Sequence, residues 1–264
     1  HTHIFNQCET KEKIDTLNQP PVRLKINALK YPKKAQQRGL EGMVLVEFDV
    51  DVGGKVINPK VIWSENEDFN HSALKSVSSS IYKPALENGK PILSKGLTQK
   101  HTFLLEGNEN NLNLGKTFNN VLRDVKSGLR TGKVEKPIKK LDSLLARKNL
   151  DEITRASLLY LKASSLYRVE APNEEIKSLL IESKQHYEEK IIQFEGESVP
   201  VKSVTSMKLQ TFGGILLGQM YFDESSWEKT EKELSEAILV SRGTGLQSQR
   251  FYPAYLQLGM ASYN

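Results

Sequence analysis

Residues 31–48 read YPKKAQQRGLEGMVLVEF, and this stretch decides the fold of the first part of the chain. Pro32 suits the first turn of a helix, because the N–H that proline lacks has no intrahelical partner there. Gly39 is typical of a helix end, where glycine adopts a left-handed conformation without steric cost. The alternation that follows places four apolar residues on one face of a strand, namely Val44, Val46, Phe48 and Val50. A short helix therefore leads directly into a regular strand.

The segment after this strand predicts a hairpin and then a helix. Residues 51–55, DVGGK, predict a turn, because paired glycines supply positive φ angles. Residues 56–64 predict a second strand, and Pro59 confines that strand to a sheet edge or a bulge. Residues 66–82 predict a helix, with an apolar face that steps by four residues. That face consists of Phe69, Ala73, Val77 and Ile81, with Leu74 beside it.

A third strand completes this pattern. Residues 83–92 predict a loop, and residues 97–107 predict the strand, with His101, Phe103 and Leu105 on one face. The predicted order is therefore helix, strand, strand, helix, strand. This mixture of helices and strands makes the fold class of the first domain α+β.

The rest of the chain changes character after an Asn/Gly-rich linker, since strand alternation disappears and helical periodicity runs on. We predict a lead-in over residues 1–20, the α+β domain over 21–107, a linker over 108–115 and an all-α helical domain over 116–264. The expected helices lie at 114–130, 134–148, 151–169, 173–192, 201–222, 225–242 and 248–264, and the stretch at 194–200 is the longest loop.

Composition excludes several classes of function. The chain has 264 residues, 38% hydrophobic and 26% charged, which is ordinary for a folded soluble protein. The net charge of +5 is spread over helices in which lysines alternate with acids, so no nucleic-acid partner is expected. Cys8 is the single cysteine, and the five histidines have no metal-ligand spacing. No catalytic motif is present, and we expect no enzyme activity, no cofactor and no metal site.

No apolar segment long enough to span a membrane is present, and an N-terminal segment upstream is expected.

The first domain contains a set of residues whose order and spacing form one pattern. They are Tyr31, Pro32, Ala35, Gly39, Glu41, Gly42, Gly54, Lys55, Val56, Phe69, Ala73, Val77, Ile81, Pro84, Gly89, Lys90, Pro91, Phe103 and Gly107. Taken together, these residues resemble the C-terminal domain of TonB, the periplasmic energy transducer. The resemblance implies a small two-layer domain, with helices on one face of a three-stranded antiparallel sheet.

The resemblance implies a mechanism. A short extended segment of a TonB-dependent outer-membrane transporter, the TonB box, pairs with the last strand of the sheet. An inner-membrane proton-driven complex of the ExbB/ExbD type then acts on the transporter through that contact, for uptake of siderophores or other nutrients. The implied location is the periplasm, with an inner-membrane anchor upstream. Family members carry Gln-Pro just ahead of Tyr-Pro, whereas Ala28 and Leu29 stand here, so we assign no role to such a motif.

The third strand also has physical features that suit pairing with a foreign strand. A three-stranded sheet has two edges with unpaired N–H and C=O groups, and residues 97–105 contain no proline and one lysine. Strand addition draws its affinity from main-chain hydrogen bonds. The predicted contact residues are Thr98, Gln99, Lys100, His101, Thr102, Phe103 and Leu104. The alternative is an edge that residues 1–20 or the helical domain cover.

Two further features of the chain suggest partners. Lys30, Lys33, Lys34 and Arg38 form a basic patch that could pair with acidic transporter surfaces, and a solvated helix face is the alternative. Residues 216–238 resemble a tetratricopeptide repeat, through Leu217, Gly218, Tyr221, Trp227 and Ala237. Such a helical domain would hold a further, unidentified protein. The rival function is a periplasmic scaffold or adaptor that has a TonB-like domain and transduces no energy.

Overall fold

The computed structural model describes residues 17–25, 28–105, 112, 118–187, 189–194, 197–244 and 252–262. The chain divides into two compact units that interleave along the sequence. One unit contains residues 1–30 and 44–101, and the other contains residues 31–43 and 102–264. The predicted domain limits at 20, 107 and 115 stay a prediction, because the linker and most of the lead-in fall outside the described residues.

The first 105 residues hold the strands of the predicted sheet and several others. The elements are β1 (Val22–Lys25), α1 (Lys33–Gln37), β2 (Gly42–Val50), β3 (Val56–Ser64), a 3-10 turn (Glu67–Phe69), α2 (Asn70–Ser78), β4 (Ile81–Lys83), β5 (Ala85–Glu87), β6 (Lys90–Ile92) and β7 (Ser94–Phe103). The main sheet has three strands in the order β3-β2-β7, and β2 pairs with β3 in antiparallel fashion. The predicted three-stranded sheet is confirmed.

Strand β2 is the buried centre of this sheet. The predicted apolar face is confirmed, because Val44, Val46 and Val50 are fully buried and Phe48 is 2% exposed. The opposite face is also buried, as Leu45 shows at 8% exposure. Both faces of the first half of β2 are therefore covered, which agrees with the uninterrupted apolar run Met43–Val46.

The turn between β2 and β3 is fixed by one aspartate and one glycine. Asp51 Oδ1 accepts the backbone N–H groups of Gly53 and Lys55, both at 2.9 Å. Gly54 has a φ of 81°, and a Cβ there would lie 1.9 Å from the carbonyl oxygen of Tyr82. Only glycine fits this position, since both the conformation and the close approach of another backbone exclude a side chain.

Strand β3 lies at one edge of the sheet and is irregular, as Pro59 predicts. The pairing with β2 shifts register twice, and one shift falls between Glu47 and Asp49, opposite Asn58 and Pro59. Asn58 has a φ of 53°, the left-handed region. This edge strand is therefore interrupted by a bulge.

The helix predicted at 66–82 is too long. Phe69, Ala73 and Val77 are fully buried as expected, but α2 ends at Ser78. Ile81 lies in strand β4 and is 49% exposed, so its place on the predicted apolar face is wrong. Three serines at the helix end, Ser78–Ser80, favour this termination, because serine side chains bond nearby backbone groups; Ser80 Oγ donates to the carbonyl of Ser76.

The predicted loop at 83–92 is a hairpin. Strands β5 and β6 pair around a turn in which Asn88 and Gly89 have φ angles of 50° and 76°. Asn-Gly is the strongest short hairpin signal, since both residues adopt positive φ readily. The end of the lead-in is also structured, because Gln19 bridges Leu86 and strand β1 pairs with β4.

The second part of the chain is mainly helical. Its elements are α3 (Asn119–Thr131), α4 (Glu135–Leu145), α5 (Glu152–Arg168), α6 (Asn173–Gln185), β8 (Glu189–Phe194), β9 (Glu197–Lys202), α7 (Val204–Asp223), α8 (Trp227–Thr244) and α9 (Tyr252–Ala261). Successive helices pack against each other, and α3, α5, α7 and α9 also contact one another in turn. This arrangement is a stack of helical hairpins.

The prediction that this part is all-α is wrong. The helix predicted at 173–192 ends at Gln185, and the loop predicted at 194–200 belongs to the antiparallel hairpin β8–β9. The sequence EKIIQF contains adjacent β-branched residues, Ile191 and Ile192, which favour a strand over a helix.

Close packing between α7 and α8 depends on small residues. A Cβ at Gly218 would lie 2.5 Å from Leu234 Cδ2, and one at Gly214 would lie 3.0 Å from Ala237 Cβ.

Leu112 is 1% exposed and packs in the core of helices α3 to α5 and α7, so one residue of the predicted linker is part of this core.

Within the described ranges, no helix has both the length and the apolar character that crossing a membrane requires.

Candidate functional site

The predicted contact strand corresponds to β7, at the edge of the main sheet opposite β3. Thr98 and Lys100 are exposed, Gln99 and Thr102 are half-buried, and His101 and Phe103 are buried. The last predicted residue, Leu104, follows the strand. Across the described ranges, β7 pairs with β2 alone, while residues 19–25 pair with β4 and Leu86. The described end of the lead-in therefore does not cover this edge.

Two carboxylates, one on β2 and one directly before it, each accept a hydrogen bond from a backbone N–H near one end of β7. Asp49 Oδ1 accepts the N–H of Gly96 at 3.0 Å, and Glu41 Oε1 accepts the N–H of Leu105 at 2.9 Å. Hydrogen bonds to the Asp49 carboxylate, first from the Asn58 side chain and also from Gly96, lower the pKa of that carboxyl below its usual value.

The direction of the Leu105 N–H predicts which residues of β7 direct their backbone N–H groups away from β2, toward the outer edge of the sheet. Backbone N–H groups alternate in direction along a strand. The Leu105 N–H points toward Glu41, which directly precedes β2. Counted back from Leu105, alternation directs the N–H groups of Thr98, Lys100 and Thr102 away from β2. Gly96 also donates to β2, but its φ of 66° interrupts the alternation between it and the rest of the strand.

One face of β7 carries two buried polar groups. His101 is 5% exposed, and no partner of its Nε2 atom is found among the described residues. The Gln99 Oε1 atom is likewise buried without a partner there. Burial lowers the pKa of His101 below its usual value, and the positive charge of Arg23 lowers it further. The ring is therefore held neutral on this face.

A buried ion pair lies at the end of β7. Lys208 Nζ of α7 is 2.6 Å from Glu41 Oε2, and the two side chains are 1% and 3% exposed. Tyr31 lies nearby: its ring packs edge-on against Phe103 at 5.7 Å, and its hydroxyl donates to the carbonyl of Leu40. Burial, with a smaller contribution from the Glu41 charge, raises the pKa of Tyr31 to about 12.

Sequence reasoning missed this pair. Glu41 was recognised as part of the family pattern, but its partner lies 167 residues away in the chain. The local signal that could have marked Lys208 is a charged residue within the apolar run of α7, since a helix buried on most sides seldom carries an unpaired lysine.

The basic patch predicted from the sequence consists of exposed residues. Lys33 and Lys34 lie on α1 and Arg38 directly after it, and Lys30 precedes it. Lys30 also lines a cleft of about 320 Å³, with Lys75 and three serines of and after α2, Ser72, Ser76 and Ser79. The electrostatic role of the patch stays a prediction.

The helical part carries two adjoining clefts of about 510 and 420 Å³ between α6, α7 and α8. Ile181, Gln185, Tyr221 and Lys229 line both of them. The ammonium groups of Lys229 and Lys177 lie 5.3 and 5.7 Å from the Tyr221 ring centroid, a cation–π arrangement. These clefts form a groove in which the side chains of Ile181 and Tyr221 lie among charged side chains.

Neither surface contains a metal centre in the part of the chain that the structure describes, since no three residues of the His, Cys, Asp or Glu type come together there. The chemistry that the geometry offers is that of backbone hydrogen bonding at β7 and of side-chain contacts in the helical groove.

Comparison with known proteins identifies the first of these regions. A family model described as the Gram-negative bacterial TonB protein C-terminal matches residues 27–105. TonB proteins from two strains of Helicobacter pylori are each 44% identical over 54 residues, which is 20% of this chain and 19% of the relative. The resemblance to a TonB C-terminal domain is confirmed, and the tetratricopeptide resemblance stays a prediction.

Solved structures of similar domains also match. The solution NMR structure of the Pseudomonas aeruginosa TonB C-terminal domain is 25% identical, with 33% of this chain and 87% of that one covered and a TM-score of 0.29. The TonB2 protein of Vibrio anguillarum is 28% identical, with 39% and 98% covered and a TM-score of 0.27. The chain spans about a fifth of the length of the curated relatives, so the assignment concerns the domain that matches.

Proposed function

We propose that this chain is part of a TonB-type energy transducer that binds the TonB box of outer-membrane transporters by strand addition on β7. The observation that carries the proposal is the pairing of β7 with β2 alone among the described residues, in a region that matches the TonB C-terminal family. On this proposal the chain binds and transmits force, has no catalytic activity and needs no cofactor.

The chemistry of β7 supports this mode of binding. A foreign strand laid along the edge would accept hydrogen bonds from the N–H groups of Thr98, Lys100 and Thr102. Because main-chain groups are common to all sequences, such an edge accepts several partner segments. Several parallel hydrogen bonds that are loaded together also resist a pull along the strand better than one contact would.

The proposed setting follows from the family. The chain would lie in the periplasm, with an inner-membrane anchor upstream and a proton-driven complex of the ExbB/ExbD type as the source of motion. Transport of siderophores or other nutrients would be the result. The exposed residues Lys30, Lys33, Lys34 and Arg38 would add attraction to acidic transporter surfaces.

The helical part would hold a second protein partner. The groove between α6, α7 and α8 supports this, because Ile181, which lines it, is 43% exposed beside the charged side chain of Lys229. Partial exposure of an aliphatic side chain beside charged groups is typical of a protein contact surface. The rival role, an envelope scaffold without energy transduction, would use the same surfaces.

The proposal is tested with the full chain and a synthetic TonB-box peptide. Amide hydrogen exchange, measured with and without the peptide, should show slowed exchange at Thr98, Lys100 and Thr102. Amides of β3 serve as the internal control and should exchange at the same rate in both samples.

Two outcomes would contradict the proposal. One is the absence of any peptide-dependent protection in β7, and the other is protection confined to β3 or to the helices. A control peptide has the same composition in scrambled order. If it also slows exchange in β7, the strand pairs without sequence preference. The docking site on β7 would then stand, but the transporter would not be its specific partner.

A further inference from the structure

The pair formed by Glu41 and Lys208 joins three separate segments of one compact unit. Lys208 is on α7, Glu41 directly precedes β2, and Leu105 follows the end of β7. One carboxylate oxygen of Glu41 receives the ammonium group at 2.6 Å, and the other accepts the Leu105 N–H at 2.9 Å. The two oxygens therefore have different partners, and the carboxylate is held from both sides.

Stability alone is a weak explanation for this pair. Removing two charges from water is costly, and well-packed apolar residues at the same positions are often as stable or more stable. What an apolar pair lacks is direction, because it cannot accept an N–H. Since Glu41 Oε1 accepts the Leu105 N–H, the pair orients a backbone group.

The surroundings leave the carboxylate little freedom to move. Tyr31 and Phe103 pack edge-on at 5.7 Å in the same unit, and Leu209, next to Lys208 on α7, is fully buried. Lys208 is the only cation within 4 Å of Glu41 in the described ranges. If this cation were absent, the negative charge of Glu41 would be buried with only the Leu105 N–H as a partner among the described residues, and the side chain would shift toward solvent.

We infer that Lys208 is a positioning residue for strand docking: it holds the Glu41 carboxylate so that Leu105, and with it the end of β7, is fixed before a partner strand arrives. The inference rests on the proposed function. A docking strand that is already ordered loses less conformational entropy on binding, so its affinity for a peptide is higher. On this inference Lys208 acts on docking through Glu41 and Leu105.

The direct test replaces Lys208 by methionine, an unbranched side chain one atom shorter that carries no charge. In Lys208→Met, amide exchange at Leu105 should accelerate by about a hundredfold, since one charge of a buried pair is left unpaired. Affinity for the synthetic TonB-box peptide should fall by about tenfold, as expected for loss of preorganisation. Lys162→Met is the matched control, because Lys162 pairs with the exposed Asp142 at 2.8 Å on neighbouring helices.

A pair of double variants separates positioning from stability, also where Lys208→Met does not fold. Lys208→Met with Glu41→Gln removes both charges and keeps an oxygen for the Leu105 N–H. Lys208→Met with Glu41→Leu removes both charges and the oxygen. We expect the first variant to bind the peptide within about threefold of the unmodified chain and the second to bind about tenfold more weakly, with faster exchange at Leu105.

The results that overturn the inference are equal peptide affinity in the two double variants, or unchanged Leu105 exchange in a folded Lys208→Met variant. If the unmodified chain binds no peptide, the proposed function fails, while exchange at Leu105 still shows whether Lys208 positions this amide. Unchanged Leu105 exchange together with peptide binding to the unmodified chain would leave the proposed function standing and remove the role of Lys208.

Discussion

The two edge strands of the main sheet, β3 and β7, differ in how regular their backbones are. Strand β3 contains Pro59, a left-handed Asn58 and two register shifts against β2. Strand β7 has one irregular position, Gly96 with a φ of 66°, close to its start. From Leu97 to Phe103 it carries no proline and no positive φ angle.

This difference teaches where the sheet can accept another strand. Proteins block an edge with proline, bulges and charge, because an open edge pairs with any available strand. Strand β3 has all three features, including Lys60, which is 60% exposed and pairs with Glu47 at 2.7 Å. Strand β7 has two exposed lysines, Lys95 and Lys100, but from Leu97 onward it has neither proline nor a positive φ angle. We therefore regard β3 as the blocked edge of the sheet and propose β7 as the available edge.

The largest expected effect breaks the available edge. Thr102→Pro removes one backbone donor and should weaken TonB-box peptide binding by roughly a hundredfold. The matched variant Thr102→Ala keeps the N–H and should bind within about twofold of the unmodified chain, because main-chain groups carry the affinity. Calorimetry measures both affinities, and circular dichroism checks that both variants fold. Full affinity in a folded Thr102→Pro variant would refute strand pairing at this site.

A smaller effect concerns the blocked edge. Asn58→Val places a β-branched residue at a φ of 53° and should lower the free energy of unfolding by about 1–2 kcal/mol. Asn58→Gly is the control: it tolerates this φ and loses only an exposed hydrogen bond to Asp49, so it should stay within about 0.5 kcal/mol. Urea unfolding measures both. A valine variant as stable as the glycine variant would show that the β3 bulge is easily reshaped.

The smallest effect is a pH dependence that belongs to β7. Because burial and Arg23 lower the pKa of His101 below 6.5, the unfolded chain takes up this proton at a higher pH than the folded chain. The contribution of His101 to the free energy of unfolding is therefore fully present above the pKa of the unfolded chain. It is lost as the pH falls toward the lower pKa of the folded chain. We expect His101→Gln to lose less stability than the unmodified chain between about pH 7 and about pH 5.

The control for this titration is His71→Gln, because His71 lies exposed on α2. Unfolding by urea at a series of pH values measures all three proteins. Parallel stability curves for His101→Gln and the unmodified chain would contradict the assignment of this pH dependence to His101.

Much of the sheet region could be predicted because its signals are local. The helix end at Gly39, the alternation from Val44 to Val50 and the turn at Gly53 and Gly54 are set by neighbouring residues. The strand predicted at 97–107 overlaps β7, which begins at Ser94 and ends at Phe103. The hairpin at Asn88 and Gly89 has an equally local signal, although we predicted a loop over residues 83–92.

Other elements could not be predicted because their cause is distant. Ile81 continues a helical spacing of four residues, but it pairs with Lys25 of β1 and Lys55, and these contacts decide its conformation. In the helical part, the hairpin β8–β9 interrupts a pattern that local periodicity extends to residue 192. Short apolar runs are ambiguous between helix and strand, so their partners decide.

By itself, the sequence determined the order of helix and strands around β2, the irregular β3 and a proline-free β7, because glycine, proline and alternation act over a few residues. Only the tertiary structure decided that β7 lies at the edge of its sheet and that Lys208 reaches Glu41 across 167 positions of the chain. Burial is the physical reason: a charge removed from water needs a partner nearby in space, whatever its place in the sequence.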